Sequence, residues 1–183
     1  MNPAPNLVLV GPMGAGKSAI GRRLADCFGL PFADADREIE ARSGTSVATI
    51  FECEGEAGFR ARERESLAAL LGGAGLLLAT GGGVVLDAGN RHLLRTRGFV
   101  VWLQVGVEEQ LRRLARDRTR PLLQREDRAA VLQEMASSRA PLYAEVADLC
   151  FDTAGLDAPA ATAALARQLH ASWQALPTGT TTP

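Results

Sequence analysis

Residues 6 to 18 leave this chain few folds to choose from. Asn6-Leu-Val-Leu-Val10 is a short apolar run, and Gly11-Pro-Met-Gly-Ala-Gly-Lys17-Ser18 follows it directly. A continuous apolar run of that length suits a strand buried on both faces. The next eight residues match G-x-x-x-x-G-K-[ST], whose glycines let the backbone wrap a phosphate and turn consecutive N–H groups onto it. From Lys17 to Phe28 the apolar residues Ile20, Leu24 and Phe28 recur at helical spacing, and Gly29 supplies a stop. Strand, glycine loop and helix in that order bring the helix's unpaired N–H groups and positive dipole end to the same anion. In such a loop the Lys17 ammonium reaches the β- and γ-phosphates of a nucleotide, and the Ser18 hydroxyl can ligate Mg2+.

The basic residues point to the same position. The chain has twenty, of which one, residue 17, is Lys and the other nineteen are Arg. Arg is a bulky planar fork, whereas Lys is a compact charge on a flexible stem. A composition that turned almost every basic position into Arg spared the one inside the glycine loop.

Beyond the loop, apolar runs alternate with helical periodicity. Further strands are predicted at 30–34, 75–79, 99–105 and 148–152. Helices are predicted at 36–43, 58–71, 90–96 and 107–116, then at 128–146 with a break at Pro141, and at 159–176. This alternation implies an α/β fold, a three-layer αβα arrangement round a five-stranded parallel sheet. With 183 residues, no internal repeat and no linker, residues 1–176 read as a single domain. Residues 177–183 form a Thr/Pro/Gly tail expected to be disordered. Segment 117–127 is polar, rich in Arg and interrupted by Pro121, which predicts a loop.

Charge and composition exclude several partners. A net charge of -1 gives no broad attraction for nucleic acid or an anionic membrane. No apolar run approaches the roughly 18 to 20 residues of a membrane span. The first six residues have neither the basic nor the apolar stretch of a secretory leader. Cys27, Cys53 and Cys150 are odd in number and lie outside any C-x-x-C spacing, so a reduced, cytoplasmic protein with packing cysteines is expected.

The nucleotide loop leaves the enzyme class open, but two alternatives fail on sequence. A GTPase usually carries Asn-Lys-x-Asp, and the only Lys is already in the loop. A motor ATPase usually ends an apolar strand in Asp, whereas Leu76-Leu-Leu-Ala79 runs into Thr80-Gly-Gly-Gly83. A small-molecule kinase remains. Asp34 and Asp36, in Phe32-Ala-Asp-Ala-Asp36, sit at i and i+2 where the second strand leaves the sheet, the edge at which open α/β sheets bind ligands. One could order a metal's water shell and the other accept a hydroxyl proton, although a helix cap and a solvated charge is the commoner meaning of such a pair.

Across residues 6–169 the chain resembles shikimate kinases. The resemblance is carried by the glycine loop, by Phe32-Ala-Asp-Ala-Asp36 with Ile39-Glu40, and by Ile50-Phe51. It continues through Gly55-Glu-Ala-Gly-Phe-Arg60, Glu63, Ala79-Thr-Gly-Gly-Gly83, Asn90-Arg91, Arg120-Pro-Leu-Leu123 and Arg139-Ala-Pro-Leu-Tyr143. It implies a P-loop fold like that of nucleoside monophosphate kinases, with a mobile lid at about 117–127. It also implies ATP-dependent phosphorylation of the shikimate 3-hydroxyl, with ATP and Mg2+, by a cytoplasmic protein expected to be a monomer. By family position, Gly14, Ala15, Gly16, Lys17, Ser18 and Ala19 hold the nucleotide, with Arg113 near adenine and Arg120 reaching the phosphates from the lid. Ser18, and Asp34 through water, hold the metal. Asp36, Arg60, Gly82, Gly83 and Arg139 take the acceptor, and Lys17, Asp36 and Arg120 carry the chemistry.

Residue chemistry supports this division. An acid bearing three hydroxyls needs cationic forks at one end and carboxylate acceptors at the other, and Arg pairs a carboxylate through two parallel hydrogen bonds. Each residue alone also admits a plainer meaning. Arg60 could be a solvated helix charge among Arg62, Glu63, Arg64 and Glu65, Gly81–Gly83 a strand-exit turn, and Arg139 a partner of Glu134. Arg116, Arg118 and Arg125 could be loop charges. Ala19 stands where the family commonly has Thr and loses a hydroxyl, and 152–159 resembles the family's adenine-side loop, its length aside. A gluconate kinase of the same fold, or a nucleotide-binding regulator without turnover, is the competing reading.

Overall fold

The computed structural model describes residues 2–115 and 127–175. In chain order the first half contains β1 (Asn2–Ala4), β2 (Asn6–Val10), α1 (Lys17–Phe28), β3 (Phe32–Asp34), α2 (Ala35–Ser43) and α3 (Val47–Leu71). Then come β4 (Leu77–Ala79), a 3-10 turn (Val84–Leu86), α4 (Ala88–Arg97), β5 (Gly98–Gln104) and α5 (Val107–Arg113). The described chain closes with α6 (Arg128–Val146), β6 (Leu149–Asp152), α7 (Ala158–Ser172) and β7 (Trp173–Ala175).

Five strands form one parallel sheet in the order β3-β4-β2-β5-β6. β2 lies at its centre, and every one of its residues is buried. Successive side chains of a strand point to opposite faces, so the apolar run of β2 serves two cores. Leu7 and Leu9 pack with Ile20 and Leu24 of α1 and Leu165 and Leu169 of α7. Val8 and Val10 pack with Leu67 and Leu71 of α3, Leu94 of α4 and Val146 of α6. Helices therefore cover both faces, and the three-layer αβα architecture expected from the sequence is the observed one. Because all the strands run parallel, the loops after β2, β3 and β4 leave from one edge of the sheet and bring the glycine loop, the Asp pair and Gly81–Gly83 together.

Several boundaries differ from expectation. α3 begins at Val47, eight residues before its bend at Gly55 (φ 67°), and Ser46 caps it by accepting from the Thr49 N–H at 3.1 Å. The glycine bend interrupts the apolar periodicity, so the sequence pattern displayed only the portion after it. α6 runs through Pro141 without the predicted break. The last helix ends at Ser172, where the chain extends into β7 and pairs in parallel with β1. Trp173 decides that ending: its ring is buried against Phe28, and its indole N–H donates to the Ala4 carbonyl at 3.3 Å. Cys27, Cys53 and Cys150 are free and exposed rather than packed, because they fall on outward faces of α1, α3 and the edge strand β6. Among the described residues no helix is long and apolar enough to cross a membrane. The predicted loop at 117–127, apart from Asp127, and the tail at 177–183 lie outside the described residues, as do Arg116, Arg118, Arg120 and Arg125.

Candidate phosphoryl-transfer site

The glycine loop has the backbone its sequence demands. Gly11, Gly14 and Gly16 have φ of 141°, 77° and 90°, a region closed to most side chains. At Gly11 a Cβ would also collide with the Leu103 carbonyl of β5. Four successive loop carbonyls are engaged by donors. Lys17 Nζ donates to Gly11 O at 2.7 Å and Pro12 O at 2.8 Å. From α5, Gln110 Nε2 donates to Met13 O at 2.8 Å, and Arg113 Nη1 donates to Gly14 O at 3.0 Å. A trans peptide points its N–H opposite its C=O. Holding the Met13 and Gly14 carbonyls on α5 therefore turns the Gly14 and Ala15 N–H groups away from that helix, as a loop that gathers N–H groups onto an anion requires. Ala15 is buried in the loop, and Ser18 and Ala19 are exposed on the first turn of α1.

Arg113, expected near adenine, thus also braces the loop. It joins Gly14 to the turn after β6, donating to Thr153 Oγ1 at 3.1 Å and Thr153 O at 2.6 Å. Gln110 escaped sequence reasoning altogether. It carries no charge and no motif, and its partner lies 97 positions away. A cavity of about 320 Å3 opens beside the loop, with Pro12, Met13, Gln110, Leu132, Met135 and Arg139 on its walls.

The two aspartates divide their work. Asp34 Oδ2 accepts from Ser18 Oγ at 2.5 Å, and Asp34 Oδ1 caps α2 by accepting from the N–H groups of Asp36 and Arg37. Asp34 is thus the helix cap of the plainer reading, and the same carboxylate also meets the loop hydroxyl. Asp36 lies half-buried in the first turn of α2 and faces the exit of β4, where a Cβ on Gly81 would come within 2.8 Å of its Oδ1.

The glycines after β4 lie against both the loop and two arginines. A Cβ on Gly82 would sit 3.6 Å from Gly11 O and Met13 N, and one on Gly83 would overlap the Arg60 guanidinium. Arg60 is no solvated charge: 16% of its side chain is exposed, and it pairs with Glu63 at 2.7 Å and Glu56 at 3.2 Å. Arg139 Nη1 donates to the Gly82 carbonyl at 3.2 Å.

Glu63 is among the residues that carry the family resemblance, but the sequence assigns it no role. Its i,i+3 spacing from Arg60 was the available signal. It is buried, and among the described residues its Oε1 has no hydrogen-bond partner. Burial pushes the Glu63 carboxyl above its ordinary value, opposed by Arg60 and assisted by the nearby Asp36 and Asp87 charges. Arg60 is itself held above its ordinary value: burial works against its charge, but the Glu63 and Glu56 carboxylates more than offset this. Ion pairing thus prevails for Arg60 and desolvation for Glu63, the more deeply buried partner.

Comparison with known proteins gives the family and the fold. The family described as shikimate kinase matches residues 13–170. The chain is 59% identical over 174 residues to a shikimate kinase of Stenotrophomonas maltophilia, covering 95% of this chain and 97% of that one. It is equally similar, over the same shares, to one from Xanthomonas campestris pv. campestris. Among solved structures, shikimate kinase from Acinetobacter baumannii in complex with shikimate superposes with a TM-score of 0.85 at 47% identity, covering 91% of each chain. Shikimate kinase from Bacteroides thetaiotaomicron gives a TM-score of 0.83 at 30% identity, over 91% of this chain and 97% of that one.

Proposed function

The chain belongs to the shikimate kinase family, and we propose that it moves the γ-phosphoryl group of ATP to the 3-hydroxyl of shikimate, giving shikimate 3-phosphate and ADP. The observation that carries this reading is the placement of Gly81–Gly83. Against these glycines lie the anion-binding loop, the Arg60 and Arg139 guanidiniums and, beside Gly81, Asp36. A molecule bound there would offer a carboxylate to the arginines and a hydroxyl to Asp36 and the γ-phosphate.

The residues then divide the reaction as follows. The loop N–H groups of Gly14 to Ser18 hold the β-phosphate, and the N-terminus of α1 adds its positive end. Lys17 exchanges the Gly11 and Pro12 carbonyls for phosphate oxygens and neutralises charge on the transferred group. Arg60, braced by Glu63, and Arg139 fix the acceptor carboxylate, which places the 3-hydroxyl in line with the γ-phosphorus. Asp36 orients that hydroxyl and accepts its proton as the new O–P bond forms and the bond to the ADP oxygen breaks. The Ser18 hydroxyl and the Asp34 carboxylate are hard oxygen donors that suit Mg2+, Asp34 through water. Bound there, the ion would supply positive charge to the β- and γ-phosphates. Arg120, assigned to the same phosphates by family resemblance, lies outside the described residues.

Both substrates are small soluble anions of the cytoplasm. We assign the protein to that compartment as a single-domain monomer, with no role for nucleic acid or membrane. The test is ADP release by the purified chain with shikimate, with gluconate and with no acceptor. Release with shikimate alone is expected. Equal release with gluconate would favour a different sugar-acid kinase, and ATP binding without release would favour a regulator.

A further inference from the structure

One carbonyl in the acceptor region carries two donors from the same helix. Gly82 O accepts from Tyr143 Oη at 2.5 Å and from Arg139 Nη1 at 3.2 Å. Arg139 and Tyr143 are four positions apart on α6 and so share a face. A carbonyl oxygen has two lone pairs, and both are used here. Tyr143 is held in turn: it is 2% exposed, and its ring stacks on Trp102 of β5 at 5.6 Å between centroids. It is also the only tyrosine in the chain.

The consequence follows from peptide planarity. The Gly82–Gly83 peptide is trans, so its N–H points away from its C=O. Two glycines in a row give this peptide little intrinsic preference for one orientation. Anchoring the carbonyl on α6 chooses it, and leaves the Gly83 N–H on the side away from α6. The same anchor fixes Arg139, because its guanidinium shares the acceptor with the phenol.

We propose that Tyr143 is a positioning residue for the acceptor: its hydroxyl locks the Gly82–Gly83 peptide and, through the shared carbonyl, the Arg139 guanidinium. It touches neither phosphate nor hydroxyl, and its effect belongs to acceptor binding alone. The inference rests on the activity proposed above. Burial pushes the Tyr143 phenol up to about 12, so it remains a protonated donor throughout the neutral range. The neighbouring charges act on it as a group: Arg139 and Arg60 pull the value down, and Glu63 pushes it up.

The test is Tyr143→Phe in the full chain, which keeps the ring on Trp102 and removes the hydroxyl. Loss of one hydrogen bond of ordinary net worth predicts a shikimate KM raised about three- to tenfold. The ATP KM should stay within about twofold. A tyrosine that merely packs would leave the shikimate KM unchanged, or would raise both KM values together, and either result overturns the proposal. Should the variant fail to fold, biosynthetic 3-fluorotyrosine labels this site alone. Its single 19F resonance should shift on adding shikimate and hold still with ADP, whereas a resonance indifferent to shikimate sinks the idea. Wild-type protein that does not phosphorylate shikimate overturns the activity itself. Wild-type turnover with an unaltered shikimate KM in the variant overturns only the role of Tyr143.

Discussion

Ser18 Oγ donates to Asp34 Oδ2 at 2.5 Å, so the first turn of α1 and the end of β3 meet through one carboxylate whose other oxygen caps α2. Asn at position 34 can still accept the cap hydrogen bonds but has no charge. Asp34→Asn should therefore melt close to the wild type while needing several-fold more Mg2+ for half-maximal rate. Asp34→Ala should lose the cap too and be less stable by about 1 kcal/mol. Thermal denaturation together with initial rates across a Mg2+ titration measures both effects. Identical Mg2+ curves for wild type and Asp34→Asn would remove Asp34 from the ion's surroundings.

Lys17 lies across the loop on the Gly11 and Pro12 carbonyls. Lys17→Met should lower kcat by roughly 100-fold or more, about 2.7 kcal/mol of lost transition-state stabilisation, without unfolding the protein. Circular dichroism and steady-state rates on the same preparation check this. A folded variant with nearly full turnover would contradict the assignment.

Gly83 faces the Arg60 guanidinium so closely that a side chain there must displace it. Gly83→Ala should accordingly raise the shikimate KM and leave the ATP KM unchanged. Arg60→Lys, which retains the charge but loses the fork, should do the same; losing a charge-assisted partner costs about 2 to 5 kcal/mol. If either substitution raised the ATP KM instead, Arg60 would serve the nucleotide.

Glu63 introduces a pH dependence whose sign can be fixed. Its carboxyl sits above the ordinary 4.5 because burial disfavours its charge. In the pH window above 4.5 the folded state holds this proton more tightly than the unfolded chain. The associated stability is complete below that value and is lost as pH rises through the folded value. Denaturant unfolding of the wild type and of Glu63→Gln should show the wild type losing ground to the variant as pH rises from 4.5 toward neutrality. A constant difference over that range would mean that the carboxyl titrates normally.

Sequence patterns that act over a few residues reappeared in the structure almost residue for residue. The strand Asn6–Val10 and the helix Lys17–Phe28 match their predicted limits, because apolar period, glycine loop and glycine stop are all local. Where a remote contact set the boundary, the pattern fell short. The end of α7 follows from the burial of Trp173 against the N-terminal strand, and the early start of α3 was hidden by the bend at Gly55. Pro141 was expected to break α6 and does not: the helix continues through it to Val146 despite the missing N–H.

The phosphate loop is written in sequence because its chemistry lies in eight consecutive residues, with glycine wherever φ is positive. The acceptor end is different. Nineteen arginines have the same donors and the same charge, and apart from family resemblance nothing in their local chemistry marks out Arg60, Arg113 or Arg139. Folding does so by proximity: Arg60 packs beneath Gly83, Arg113 reaches Gly14 across 99 positions, and Tyr143 reaches Gly82 across 61. A guanidinium or phenol acquires a role through what surrounds it, and those surroundings exist only once the sheet has brought distant loops to one edge.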